Sequence, residues 1–319
     1  MKKQNLKRII TAGLIVTGIL TIAPSAKAEY TPNTTNLCYT KGTSLIMVLK
    51  LINEKLHHFD NNDASPSELV NNNSDSNNIF DQSIEQAVGE AIKSRNQKYY
   101  YMGEVATEGH IILEVEEKDD LVKAYTISSF GYFGFENGIF TIVSGSGAIP
   151  TVITFSKNAN NEYSLLEYKE PIDGDDCLDS TKKMFPERLW NRVLSGNDLV
   201  YSKLVESQKS QAEEYLRKIG RTAQVNPNYV ERKLPDINVS ASNKLFSELT
   251  KYDSLLNDCP YWIGSRERIE NGIRIVYETS QSKSSDGYDL ITFKKSKADG
   301  TIIEERIYKI VGSEPELQQ

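Results

Sequence analysis

The sequence predicts an α+β protein built as two modules, each a helix packed on an antiparallel sheet, joined by a helical segment. Three observations carry this. Apolar residues recur at helical spacing in two places, each followed by short alternating runs with turn residues between them. A longer helical stretch separates the two sets. The pentapeptide Ile153-Thr-Phe-Ser-Lys157 has an echo in Ile291-Thr-Phe-Lys-Lys295. Each copy leads into a polar turn and then a strand with Tyr and Glu. This reads as a weak internal duplication, set against two unrelated hairpins of similar propensity.

The chain opens with an export pattern. Lys2, Lys3, Lys7 and Arg8 precede an uncharged apolar run from Ile9 to Ala23, and Ala26-Lys27-Ala28 forms a small-x-small cleavage site before Glu29. Cleavage between Ala28 and Glu29 would leave a secreted, extracytoplasmic chain with no stable membrane span, because the apolar run is short for a bilayer crossing. The segment contains five Lys/Arg and no acid, so its removal takes the formal charge from -7 to -12. Such an acidic chain is expected to bind no nucleic acid and to avoid anionic membrane surfaces. Residues 29–79 read as a short apolar helix, Ser44 to Leu56, followed by a linker with seven Asn between positions 61 and 78.

The first module spans 80–182. Ile84, Ala87, Val88, Ala91 and Ile92 fit a helix capped by Asp81. Strands follow at Ile111–Glu116, Leu121–Ser129, Gly138–Val143, Thr151–Ser156 and Tyr163–Tyr168. Asn137-Gly138 supplies a hairpin turn signal. The connector, 183–222, carries one stripe of Phe185, Leu189, Val193 and Leu194. A second stripe runs from Val200 to Ile219, with Gly220 as its stop. The second module, 223–319, has Leu245, Phe246, Leu249, Tyr252 and Leu256 on a helix capped by Ser242. Its strands lie near Arg266–Ile269, Ile273–Thr279, Tyr288–Lys294 and Thr301–Ile310.

Known catalytic patterns fit poorly, and the sequence predicts a non-enzymatic protein with no cofactor and no metal. The only histidines are His57, His58 and His110, and none has zinc-ligand spacing. Ser180-Thr-Lys-Lys183 matches the S-x-x-K of acylatable serines and Ser195-Gly-Asn197 a loose S-x-N. However, no K-T-G or K-S-G follows, and the two matches lie too close for the subdomain such enzymes place between them. Gly145-Ser-Gly147 precedes a strand rather than a helix, so a bend or bulge suits it better than a phosphate loop. Cys38, Cys177 and Cys259 make no disulfide framework. Cys177 and Cys259 could pair or remain thiols, and the acidic neighbours of Cys177 argue against a nucleophile.

Phe130-Gly-Tyr-Phe-Gly-Phe135 and the turn after it offer the one suggestive surface. Tyr132, Phe135, Glu136 and Asn137 are the ligand-binding candidates, lining a concave face; ordinary sheet packing is the alternative.

Longer segments carry a resemblance. They are Glu108–Leu113, Ser129–Gly138, Val143–Pro150, Leu165–Pro171, Met184–Trp190, Glu214–Arg221 and Tyr261–Gly264. In this order they resemble the extracytoplasmic C-terminal region of bacterial membrane metallopeptidases of the antirepressor (BlaR/MecR) type. The resemblance covers roughly residues 80 to 310. The family's membrane helices and H-E-x-x-H motif are absent here, so it implies no proteolysis and transfers no catalytic residue. It implies a sensor-like binding protein of the bacterial cell envelope, whose partner is an unknown ligand or envelope protein. A secreted hydrolase with a non-obvious site is one alternative; a structural envelope component or receptor remnant is another.

Overall fold

The computed structural model describes residues 82–196 and 198–318, all within one compact unit. The cleavage site at Ala28 and Glu29, the helix expected at Ser44–Leu56, the Asn-rich linker and the Asp81 cap lie outside the described residues. The fold is α+β.

Strand β2 (Leu121–Glu136) organises the first half. One edge pairs along its length with β1 (Val105–Lys118). The other edge is shared. β4 (Ile149–Lys157) runs beside Leu121–Ser128, and β3 (Ile139–Gly145) beside Gly131–Glu136. The Gly145-Ser-Gly segment is therefore a bend between two strands lying end to end on one neighbour. A side chain at 145 would meet the Phe130 carbonyl oxygen at 2.3 Å, so this close approach requires glycine. β5 (Tyr163–Lys169) pairs with β4, and β6 (Val225–Asn226) runs parallel to β3.

Helix α1 (Gln82–Asn96) covers one face of this sheet. Ile84, Val88, Ala91 and Ile92 pack on Val122, Ala124, Phe130, Tyr132, Ile153 and Phe155. The odd-numbered residues of β2 face the other way, and there the expected connector behaves differently from a connector. After the short helices α2 (Cys177–Met184) and α3 (Trp190–Leu194), α4 (Asp198–Lys218) runs along the sheet. Phe185, Leu189, Val193 and Leu204 pack on Tyr125 and Ile127. Ala212 and Leu216 pack on Phe133, Phe135 and Phe140. The stretch 183–222 is thus the second layer of the first half, and β6 extends that half to Asn226. The reason is visible in β2, whose buried residues run almost without interruption; a strand apolar on both faces needs cover on both.

The second half is a meander of β7 (Gly264–Glu270), β8 (Ile273–Lys283), β9 (Asp289–Lys297), β10 (Ile302–Val311) and the short β11 (Glu314–Leu317). Its single expected helix is broken into pieces: α5 (Val239–Asn243), a π-helical turn, a 3-10 turn and α6 (Ser254–Asp258). The caps are Asn238, which accepts from the amides of Ser240 and Ala241, and Asp253, which accepts from Leu255. Ser242 lies inside α5 and caps nothing. Tyr252, expected on the apolar stripe, is 88% exposed because the break turns it outward. Ala241, Leu245, Leu255 and Leu256 cover Ile275, Tyr277, Ile291, Phe293 and Tyr308 on one sheet face.

The halves are not two separate sheets. β7 joins the edge of β2 beyond the start of β1 through one residue pair, Glu136 and Arg266, so strands from both halves form a continuous eleven-stranded sheet.

Candidate functional site at the junction

The junction forms where the chain most needs to satisfy charge. Glu136, the last residue of β2, is fully buried. Arg232 donates to both of its carboxylate oxygens, at 2.9 and 3.2 Å, and Arg266 lies 3.6 Å away. A buried carboxylate without such partners would strongly favour the unfolded chain. The next residue, Asn137, has φ of 52° in the turn. Its side-chain oxygen accepts from the Ser265 amide at 2.8 Å, and its own amide donates to the Ser265 carbonyl.

Around Glu136, cations and aromatic rings alternate. The Arg232 guanidinium sits 4.1 Å from the Trp262 ring centre, and Arg266 lies 4.7 Å from the same ring. Arg266 is also 5.2 Å from Tyr101, which Arg268 approaches at 5.6 Å. Arg268 is 5.4 Å from Tyr277, and Lys295 follows at 5.2 Å. Each contact aligns positive charge with the negative ring face, worth about 0.5–2 kcal/mol depending on desolvation. Carboxylates flank this ladder: Glu136 near Arg232 and Arg266, Asp258 on Arg268, and Glu270 on Lys295. The Tyr101 hydroxyl accepts from both Arg266 and Arg268. Four cations thus share three carboxylates. Arg266 is the member that, among the described residues, has a single carboxylate partner, one already gripped by Arg232.

Two donors in the ladder have no hydrogen-bond acceptor among the described residues: Nε1 of the fully buried Trp262 and Nε of Arg266. Buried N–H groups are almost always paired. The other tryptophan follows that rule, since Trp190 Nε1 donates to the Phe185 carbonyl at 2.9 Å. Beside the orphaned donors the surface carries Tyr101 and Tyr261, each about half exposed, with Tyr261 edge-on to Trp262 at 5.0 Å.

The opposite side of the seam is a closed network. Arg274 bridges Glu104 and Glu267, Arg221 pairs with Glu267, and Arg221 and Arg274 both stack on Phe135.

The predicted ligand residues are therefore separated. Tyr132 and Phe135 are buried on opposite sheet faces, in the α1 and α4 cores. This is sheet packing, and neither ring lines an open concave surface. Glu136 and Asn137 do reach the junction, where they tie the halves together. Tyr101, Arg232, Trp262 and Arg266 were missed by sequence reasoning. Tyr261-Trp-Ile-Gly264 lay within the family resemblance, but nothing in its spacing marks an aromatic destined to lie between two arginines.

Among the described residues, the other candidate reactive side chains are buried or held in hydrogen bonds. His110 lies on β1, 2.7 Å from Glu108 through Nδ1 and 2.7 Å from Glu85 of α1 through Nε2. Burial lowers its basicity, but the hydrogen bonds to Glu108 and Glu85 outweigh that and push its pKa up to about 9. It is an imidazolium clamp donating from both nitrogens, with no lone pair for a metal or a proton. Ser180 Oγ accepts from the Ile172 amide and donates to the Cys177 carbonyl. Cys259 is a free, buried thiol whose pKa burial raises to about 12, while Cys177 is disulfide-bonded, so these two do not pair. Among the described residues, no group of three or more His, Cys, Asp or Glu is placed to hold a metal ion, and no helix is long and apolar enough to cross a membrane.

No family model, curated protein or solved structure matches the chain.

Proposed function

We propose that this chain is an exported, non-enzymatic binding protein of the bacterial envelope, sensor-like in role, and that the cation–aromatic ladder receives an anionic, carboxylate-bearing group of its ligand. The observation that carries the reading is a pair of donors without an acceptor among the described residues, Trp262 Nε1 and Arg266 Nε, beside half-exposed tyrosines. An acceptor there would restore two hydrogen bonds and balance the shared charge on Arg266. Aromatic rings beside a guanidinium suit a ligand with both an apolar body and an acidic group. The export pattern before Glu29 supports the location. The ordered segments resembling the extracytoplasmic region of BlaR/MecR-type proteins support the sensor role.

The two indoles make the test direct. In a nitrogen-15 NMR titration with acetate and then N-acetyl-phenylalanine, the Trp262 indole N–H should shift saturably while that of Trp190 stays fixed. Arg266→Gln should weaken the response about tenfold, the loss of one charge-assisted hydrogen bond. Equal movement of both indoles, or of neither, would remove the site.

A further inference from the structure

A second surface, remote in sequence from the ladder, has the attributes of a strand-receiving edge. β5 pairs with β4 alone among the described residues, which leaves its outer edge without a strand. Residues 164–167 are exposed in succession, with Leu165 at 44% and Leu166 at 58%. The register with β4 slips at this point: Phe155 faces Leu165 while Thr154 faces Glu167. Leu166 is the extra residue of a bulge. Bulges and charges usually protect a free edge. Here the bulge does the reverse and brings two adjacent leucines to the wall of one groove.

That groove, about 350 Å³, lies between β5 and the C-terminal end of α1, and Arg95, Lys98 and Tyr99 complete its wall. Arg95 stacks on Tyr99 at 4.8 Å and donates to its hydroxyl, but neither Arg95 nor Lys98 pairs with a carboxylate among the described residues. Glu167, the groove's own acid, is held by Lys169 at 2.8 Å. The groove thus sets two cations without a carboxylate partner among the described residues against one acid already held by Lys169, which calls for a carboxylate from elsewhere.

We infer that the β5 edge takes an extended, acidic peptide segment of another protein as an added strand. Backbone hydrogen bonds to β5 supply the pairing, Leu165 and Leu166 seat alternate apolar side chains, and Arg95 and Lys98 meet the carboxylates. A second copy of this chain fits less well, since self-pairing about Leu166 would bring the Arg95 and Lys98 cations of the two copies together and supply no carboxylate that is not already held by Lys169.

Hydrogen exchange on the full chain provides the test, using the peptide Ac-Glu-Val-Glu-Val-Thr-Val-amide and its Glu-to-Lys counterpart. The acidic peptide should slow amide exchange across 163–169 by about tenfold or more, and the basic one should not. The double variant Arg95→Glu and Lys98→Glu should reverse the preference, which a merely unfolded edge would not do. Protection by neither peptide, equal protection by both, or an edge already protected in the peptide-free chain would overturn the inference. In the last case, concentration dependence would identify a second copy as the occupant, and loss of protection on deleting residues 60–78 would identify the chain's own preceding segment.

Discussion

The two halves solve the same packing problem with different amounts of cover. In the first, β2 is buried on both faces, between α1 and α4, and its sequence is a nearly unbroken apolar run. In the second, β8 alternates, with Ile275, Tyr277 and Thr279 buried and Arg274, Val276 and Glu278 only partly so, because its helices cover one face. Continuous against alternating burial is the sequence signature of two covered faces against one. The difference teaches that glycines and aromatics crowded into one strand mark a core sandwiched from both sides, and that a site is better sought where such a strand ends.

The sharpest way to break this comparison is to remove cover from each half. Phe133→Ala, in the doubly covered strand, should lower unfolding free energy by about 3–5 kcal/mol. Ser280→Val, on the less covered face of β8, should change it by less than about 0.5 kcal/mol. Urea denaturation of both variants decides, and similar losses would mean that the second sheet is covered as fully as the first.

The junction comes next. Glu136→Gln leaves two guanidiniums beside a neutral amide and should cost about 3 kcal/mol. Faster amide exchange should then appear first in β7. Uniform acceleration throughout would indicate that the ion pairs do not hold the halves together.

The His110 clamp belongs to the first half alone. Its folded pKa of about 9 lies above the ordinary 6.5, so its contribution is full below pH 6.5 and disappears as pH rises through 9. Stability should fall by up to about 3 kcal/mol across that window, and His110→Gln should flatten the profile. A profile that stays steep in the variant would assign the dependence elsewhere.

A smaller loss falls on the turn. Asn137→Gly accepts the positive φ but loses the hydrogen bond from Ser265, and should cost about 1 kcal/mol in the same denaturation assay. Asn137→Ala should cost more, through backbone strain.

Much of the fold was legible because periodicity reports burial. Ile84, Val88 and Ile92 announced α1, and Asn137-Gly138 announced its hairpin. The α4 stripe was also visible, but helical spacing shows only that a face is apolar, and nothing local says which sheet it will cover. Hence the same stripe fits a connector between modules as well as it fits a layer on one of them. The second half's helix was harder, since the π-helical turn at Lys244–Glu248 shifts the register of any 3.6-residue template. Of the site, the sequence marks Glu136 and Asn137 only as a Glu-Asn turn beside aromatics, and nothing in it shows that they tie the halves together. The ladder was not, because Tyr101, Arg232, Trp262, Arg266, Arg268, Tyr277 and Lys295 are interleaved only by folding.

The single rung between Glu136 and Arg266 also bears on modularity. A gene truncated after Asn226 would keep every strand of the first half yet strip Glu136 of both guanidiniums. The complementary fragment would retain Arg232 and Arg266 but lose Tyr101, the ring against which Arg266 rests. Neither piece inherits a finished boundary, so shuffling at this point would transmit two incomplete surfaces in place of two domains.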